Sequence, residues 1–298
     1  MTCRAHAFVL LAALHAFRLV ADEPPRTVPV WPDLAPGETT HHEGEALPRR
    51  PNENPPATRI GQITRPTLDI YEPPAEQRKG AVVIILPGGG YNYVVADKEG
   101  SEAARWLNTL GVTGCVLKYR TRTSPADSGW QRPLQDAQRA VSLVRSHAAK
   151  WKLDASSVGM LGFSAGGQAA ALATTRFDVR SYESIDSIDQ TSCRPDFALL
   201  IYPWNLWDAK TDALLETLTV TPRTPPTFLV HAHDDGSSSL GSVLFYAALK
   251  RHKVPAELHV YQTGGHGYGL REVKGSVVHT WPQRAEEWLR LTVLEKGP

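Results

Sequence analysis

Gly162-Phe163-Ser164-Ala165-Gly166-Gly167 stands between two stretches of opposite character. Before it, Val158 to Leu161 is an apolar run of the length of a buried strand. Behind it, Gln168-Ala169-Ala170-Ala171-Leu172-Ala173 is strong helix-forming sequence. Strand, G-x-S-x-G, helix is the context of a nucleophile elbow, a strained turn that lifts the serine Oγ clear of a sheet. Gly162 and Gly166 lack Cβ, so strand and helix can approach closely around the turn. A glycine-rich strand-to-helix loop would equally suit a phosphate. The nucleophile reading is preferred because the other parts of an acyl-transfer site follow in the expected chain order.

A serine nucleophile needs a base for its proton and a carboxylate to hold that base in one tautomer. The apolar run Phe228-Leu229-Val230 ends in His231-Ala232-His233-Asp234-Asp235. Leu258-His259-Val260-Tyr261 is followed by Gly264-Gly265-His266-Gly267-Tyr268-Gly269. His266 has glycine on both sides, which suits a freely bending loop and not a packed core. It is the candidate base. Asp235 is the preferred acid, since Asp234 would point the other way if the segment is still extended. The choice between the two aspartates stays open at this stage.

Acyl transfer also needs backbone N–H groups already aimed at the developing oxyanion. Pro87-Gly88-Gly89-Gly90-Tyr91 follows the continuous apolar run Ala81 to Leu86 and supplies them. Gly89, Gly90 and the Ala165 N–H are the candidate oxyanion hole. A phosphate-binding reading of this triple glycine lacks the Lys-Ser/Thr that should follow it. The histidines at 231 and 233 suggest a metallo-hydrolase run, but Gly236 occupies the place of its last histidine. A metal would also leave the serine elbow without a purpose. No metal and no cofactor is called for.

Around these motifs the chain alternates strands and helices. Thr67 to Tyr71 alternates like an outer strand, while Ala81 to Leu86 is apolar throughout, as in a parallel strand covered on both faces. Helices are expected over Glu99 to Leu110, from Pro133 to Ala148, over Asp212 to Leu218, Val243 to His252 and Trp281 to Leu291. Strands are expected over Val112 to Tyr119, Phe197 to Tyr202, Thr227 to Val230 and Glu257 to Tyr261. Such alternation predicts an α/β fold with a mostly parallel, doubly wound sheet and helices on both faces.

The chain has 298 residues, 42% of them hydrophobic, with a formal net charge of +1. That balance argues against nucleic acid or an anionic membrane surface as partner. The mean hydropathy of −0.28 suits a soluble protein, and no run is long enough to span a bilayer. Arg4, the apolar run Ala7 to Leu14 and the small residue Ala21 read as a leader over residues 1–21, which predicts export. Residues 22–66 hold ten prolines and no sustained apolar period. They are expected to lie as an arm without a core of its own, docked through Trp31, with residues 67–298 as the catalytic domain. Cys115 and Cys193 read as buried free thiols.

From Gly80 to Leu289 the chain resembles the α/β-hydrolase superfamily. More narrowly, it is similar to bacterial carbohydrate esterases of the acetyl esterase and acetylxylan esterase kind, sometimes labelled xylanase-B-like. The residues that carry the resemblance are Pro87 to Tyr91, Asp97-Lys98-Glu99-Gly100, Leu117-Lys118-Tyr119-Arg120, Leu134 to Ala140, Gly162 to Gly167, Arg194 to Phe197 and Gly264 to Gly267. The resemblance implies a Ser164-His266-Asp235 triad and an exported serine esterase. A xylanase label fits less well, because glycoside hydrolysis calls for two carboxylates across a sugar site. One departure is Gly236-Ser237-Ser238-Ser239, where relatives usually read Val-Pro after the acid.

Between Tyr202 and Pro226 there is room for no large lid, so a short acyl group, acetyl above all, is expected. The expected partner is an acylated carbohydrate or another small ester. Tyr91, Trp204 and Tyr268 are candidate substrate-binding aromatics that could stack on sugar rings, or could simply pack. A peptidase or lipase of the same fold, or a binding protein on a hydrolase scaffold, are the alternatives. The first would normally need a large extra domain, and the last would typically have lost a triad member.

Overall fold

A computed structural model describes residues 24–124, 127 and 129–295. The expected leader, residues 1–21, lies outside them. Eight strands form the central sheet: β1 (Arg26–Pro29), β2 (Thr67–Tyr71), β3 (Val82–Leu86), β4 (Thr113–Lys118), β5 (Val158–Phe163), β6 (Phe197–Ile201), β7 (Thr227–Ala232) and β8 (Ala256–Tyr261). Their order is β1-β2-β4-β3-β5-β6-β7-β8. From β4 to β8 all neighbours are parallel, while β2 runs antiparallel to both β1 and β4.

Among the described residues, the α-helices of eight residues or more are α1 (Glu102–Thr109), α2 (Gln131–Ser146), α3 (Ser164–Thr175), α4 (Leu240–Arg251) and α5 (Trp281–Leu289). Strand alternation decides which helix meets which residue. In β3, Val82, Ile84 and Leu86 join the core under α2, α3 and α4, while Val83 and Ile85 join the core under α1 and α5. Every residue of β3 is therefore buried, which is why its sequence is apolar without a break.

The proline-rich arm has no core of its own, but it is not loosely applied. Its β1 extends the sheet at β2, and Val30, Trp31 and Ile63 sink into the core on the α2 side. The Trp31 Nε1–H donates to Asp136 at 2.8 Å, and Asp136 also accepts from the Arg120 side chain at 2.9 Å. The guanidinium groups of Arg120 and Arg139 lie over the indole ring. Farther on, Glu45–Ala46 and Arg59–Gly61 pair antiparallel, and Arg59–Gly61 pairs with Tyr93–Val95 just beyond the glycine loop. The arm thus reaches the carboxyl end of the sheet, where the candidate site lies.

One expected element is absent. Asp212 to Leu218 is not a helix: Ala213–Leu214 pairs antiparallel with Trp207–Asp208. The Trp207 indole donates to Asp212 at 2.9 Å, and Asp208 accepts the Lys210 backbone N–H at 2.9 Å. These short polar side chains satisfy the turn locally and outbid the helical spacing of the leucines. Cys115 and Cys193 are buried free thiols.

Candidate active site

β5 ends at Phe163, and the chain turns directly into α3 at Ser164, whose φ is +52°. A non-glycine residue in the left-handed region is strained by about 1–3 kcal/mol. The close approach that makes the turn possible is visible at Gly166. A Cβ there would stand 2.0 Å from the Leu86 carbonyl oxygen of the neighbouring strand.

The loop after β8 brings His266 over this turn, with its Nε2 2.7 Å from Ser164 Oγ. On the other side of the ring, Nδ1 lies 2.7 Å from Asp235 Oδ2. A carboxylate at Nδ1 keeps the proton there and leaves Nε2 as the acceptor facing the hydroxyl. The structure therefore brings Ser164, His266 and Asp235 into one hydrogen-bonded chain. Asp234 does not join it, and accepts the Gly265 backbone N–H at 2.8 Å, holding the histidine loop.

Asp235 is buried, which by itself would push its carboxyl up. Hydrogen bonds from His231, His266 and the Ser237 N–H outweigh burial and hold it at about 2. His231 is thus a structural neighbour of the acid, with Nδ1 2.8 Å from Ser242 Oγ and Nε2 2.9 Å from the Ser237 carbonyl oxygen. Both its nitrogens are engaged within the fold. Among the described residues no group of three or more His, Cys, Asp or Glu is arranged to hold a metal ion.

Gly89 and Gly90 line the cleft beside Ser164, and Ala165 follows Ser164 at the start of α3. The preceding Gly88 N–H is already taken by Glu99 Oε2 at 2.7 Å. Glu99 is a residue whose part in the site the sequence reading missed. It is buried at the edge of the cleft, and that burial raises its carboxyl while bonds from Tyr202 and Gly88 oppose the rise. Its Oε1 accepts the Tyr202 O–H at 2.9 Å, and Tyr202 in turn accepts the Gly269 N–H at 2.8 Å. One carboxyl group therefore ties the glycine loop to the histidine loop. The signal in the sequence was its place in Asp97-Lys98-Glu99-Gly100, one of the stretches that carry the resemblance, which gave it no role.

Glu99→Ala is expected to lower kcat by about ten- to a hundredfold, the size of two lost hydrogen bonds of ordinary strength. Comparing kcat with the melting temperature separates this from unfolding, since an unchanged kcat in a folded variant would mean that the brace has no bearing on turnover.

Two of the three candidate substrate aromatics are corrected. Tyr91 is buried, with its O–H donated to Gln168 at 2.8 Å and its ring edge-on to Tyr119 and Trp204. Tyr268 is buried edge-on against Tyr202 at 4.3 Å, where positive φ at Gly267 and Gly269 folds the loop back onto the core. Trp204 remains partly exposed at the cleft, and Tyr93 joins it there.

A family model described as BD-FAE matches residues 68–200. A solved structure of an acetyl ester-xyloside bifunctional hydrolase from Caldicellulosiruptor lactoaceticus is 32% identical, covering 90% of this chain and 96% of that one, with a TM-score of 0.70. The chain belongs to the acetylxylan-esterase-like family of α/β-hydrolases. Within this family, an acetylxylan esterase of Xylanibacter ruminicola is 25% identical over 219 residues, or 65% of this chain and 42% of that protein. An endo-1,4-beta-xylanase B of Butyrivibrio fibrisolvens is 31% identical over 204 residues, or 62% of this chain and 32% of that protein. The α/β-hydrolase described here thus spans less than half the length of these two relatives.

Proposed function

We propose that this α/β-hydrolase is an exported serine esterase that removes short acyl groups, acetyl above all, from acylated carbohydrate such as acetylated xylan. The observation that carries the reading is the unbroken chain from Ser164 Oγ through His266 to Asp235, set on a strained elbow. The names of the relatives, esterases and xylan-directed enzymes, support the choice of substrate class.

In this mechanism Ser164 Oγ attacks the ester carbonyl carbon as its proton passes to His266 Nε2. The carbonyl π pair moves onto oxygen, and the N–H groups of Gly89, Gly90 and Ala165 receive that charge. As the intermediate collapses, the C–O bond to the sugar breaks and the imidazolium gives its proton to the leaving oxygen. Asp235 stabilises the imidazolium throughout without taking the proton. Water, deprotonated by His266, then attacks the acyl-enzyme and releases the acid and free Ser164.

The acyl preference follows from the cleft, a cavity of about 680 Å³ whose walls are mainly Arg, Lys, Glu, Asn and Gly. Its apolar groups, Tyr93, Val95 and Trp204, are interspersed with charged and polar side chains, so the usual gain of about 0.8 kcal/mol per buried CH₂ should not accumulate along a long acyl chain. With aryl esters of graded length, kcat/KM is expected to peak at acetyl or propionyl and to fall by octanoyl. An optimum at octanoyl would contradict the short-acyl reading, and absence of turnover with every ester would contradict the esterase itself.

A further inference from the structure

The cleft wall opposite the elbow is built by the arm and by the turn before α1. It carries three cations, Arg50, Arg59 and Lys98. Arg59 is spoken for: its guanidinium makes two bonds to Glu53, at 2.7 and 2.8 Å. Glu53 is held at about 2 by that partnership. Lys98 and Arg50 differ. Among the described residues, no carboxylate comes within ion-pair distance of either. The Arg50 guanidinium donates only to the Tyr93 O–H and lies over that ring. The Lys98 ammonium is half-buried, and burial pushes its pKa down.

Two cations share a cleft with the nucleophile, and neither has a carboxylate of its own. Nothing in deacetylation of a neutral sugar uses them. Glu99 and Glu53 attract the Lys98 ammonium from beyond ion-pair distance but do not pair with it, and burial still pushes its pKa down, so an anion arriving with the substrate would offset part of that cost. From this placement we infer that Lys98 and Arg50 form a subsite for a carboxylate group carried by the substrate, which makes acidic esters the preferred class. The inference deepens the esterase reading and rests on it. The carboxylate has two possible sources, a uronosyl branch on the sugar or the free end of a dicarboxylic acyl group. Xylan-like chains bearing uronosyl branches fit the carbohydrate reading.

The test compares acetylated xylotriose with the same compound carrying a glucuronosyl branch beside the acetylated residue, and aryl acetate with aryl hemisuccinate. For at least one pair the ratio of kcat/KM, acidic over neutral, is expected to reach about tenfold at low salt, the size of one charge-assisted bond. It should shrink as salt rises. The pair that responds identifies the source of the carboxylate. In Lys98→Gln and in Arg50→Gln the ratio should fall toward one. Because it is taken within each variant, it cancels any general loss of activity or folding. Ratios at or below one in the wild type, or ratios unchanged in both variants, overturn the subsite. Calorimetric binding of the unacetylated oligosaccharides, branched against unbranched, and of aryl hemisuccinate against aryl acetate to Ser164→Ala, repeats both comparisons without turnover. Absence of hydrolysis therefore counts against the esterase, and equal affinities count against the subsite.

Discussion

Ser164→Ala is expected to lower the turnover of an aryl acetate by roughly 10⁵- to 10⁶-fold, the scale on which removal of a serine nucleophile acts in other hydrolases. The loss should leave the fold intact. The Ser164 side chain bonds only to His266 at the cleft, while the backbone of the elbow is fixed by packing around Gly166 and by the Trp204 N–H to Ser164 carbonyl bond at 2.9 Å. Alanine retains the Cβ, so the left-handed strain is the same in both proteins and the melting temperature should hardly move. An organophosphonate should attach once to the unmodified protein, and peptide mass analysis should find it on Ser164. Label on a different serine, or substantial turnover in the folded variant, would remove Ser164 from the mechanism.

Asp235→Asn should cost about 10³–10⁴ in kcat, as the corresponding change does in a serine-protease triad. An amide facing His266 Nδ1 can present its N–H, which forces that nitrogen to accept and moves the ring proton to Nε2, against Ser164. Asp234→Asn should cost far less, because the amide oxygen can still accept the Gly265 N–H that Asp234 holds now. Rates at saturating substrate decide between them, and a reversed order would transfer the role of acid to Asp234. The depressed pKa of Asp235 also fixes a pH dependence. Its folded value of about 2 lies below the ordinary aspartate value. The stability it contributes is therefore complete above the unfolded pKa of about 3.9 and is lost as pH falls through about 2. Over mildly acidic pH the acid therefore stays charged. In Asp235→Asn the melting temperature should lose part of its fall between about pH 4 and pH 2.

The parts of this molecule that the chain spells out locally were readable before any coordinates. An apolar strand, an obligatory glycine turn and an alanine-rich helix define the elbow within a single stretch, and β3 announces its double coverage by having no polar residue. Ser164 and His266 could be named from their places after β5 and β8, while the acid after β7 could be narrowed to Asp235 or Asp234. What could not be read depends on where a loop folds back. Tyr91 and Tyr268 sit on glycine-rich loops that suggest exposure, yet left-handed backbone at Gly90, Gly267 and Gly269 turns both rings inward. Glu99 gave no periodic signal, because its meaning lies in Gly88 and Tyr202, one of them more than a hundred residues away. The leucines at 214, 215 and 218 mimic a helix, and only the turn bonds of Asp208 and Asp212 reveal a hairpin.

The pairing of Arg59–Gly61 with Tyr93–Val95 gives the arm a meaning beyond its anchorage. It places Arg50, Glu53 and Arg59, all from outside the alternating strand-and-helix body, on the wall that faces the elbow. Ser164, Asp235 and His266 come from the body, while these three wall residues come from the arm, and the two parts are joined by this ladder, by the pairing of β1 with β2 and by Val30, Trp31 and Ile63 in the core. Substitutions in the arm can therefore reshape one wall of the cleft while the hydrogen bonds joining Ser164, His266 and Asp235 stay in place.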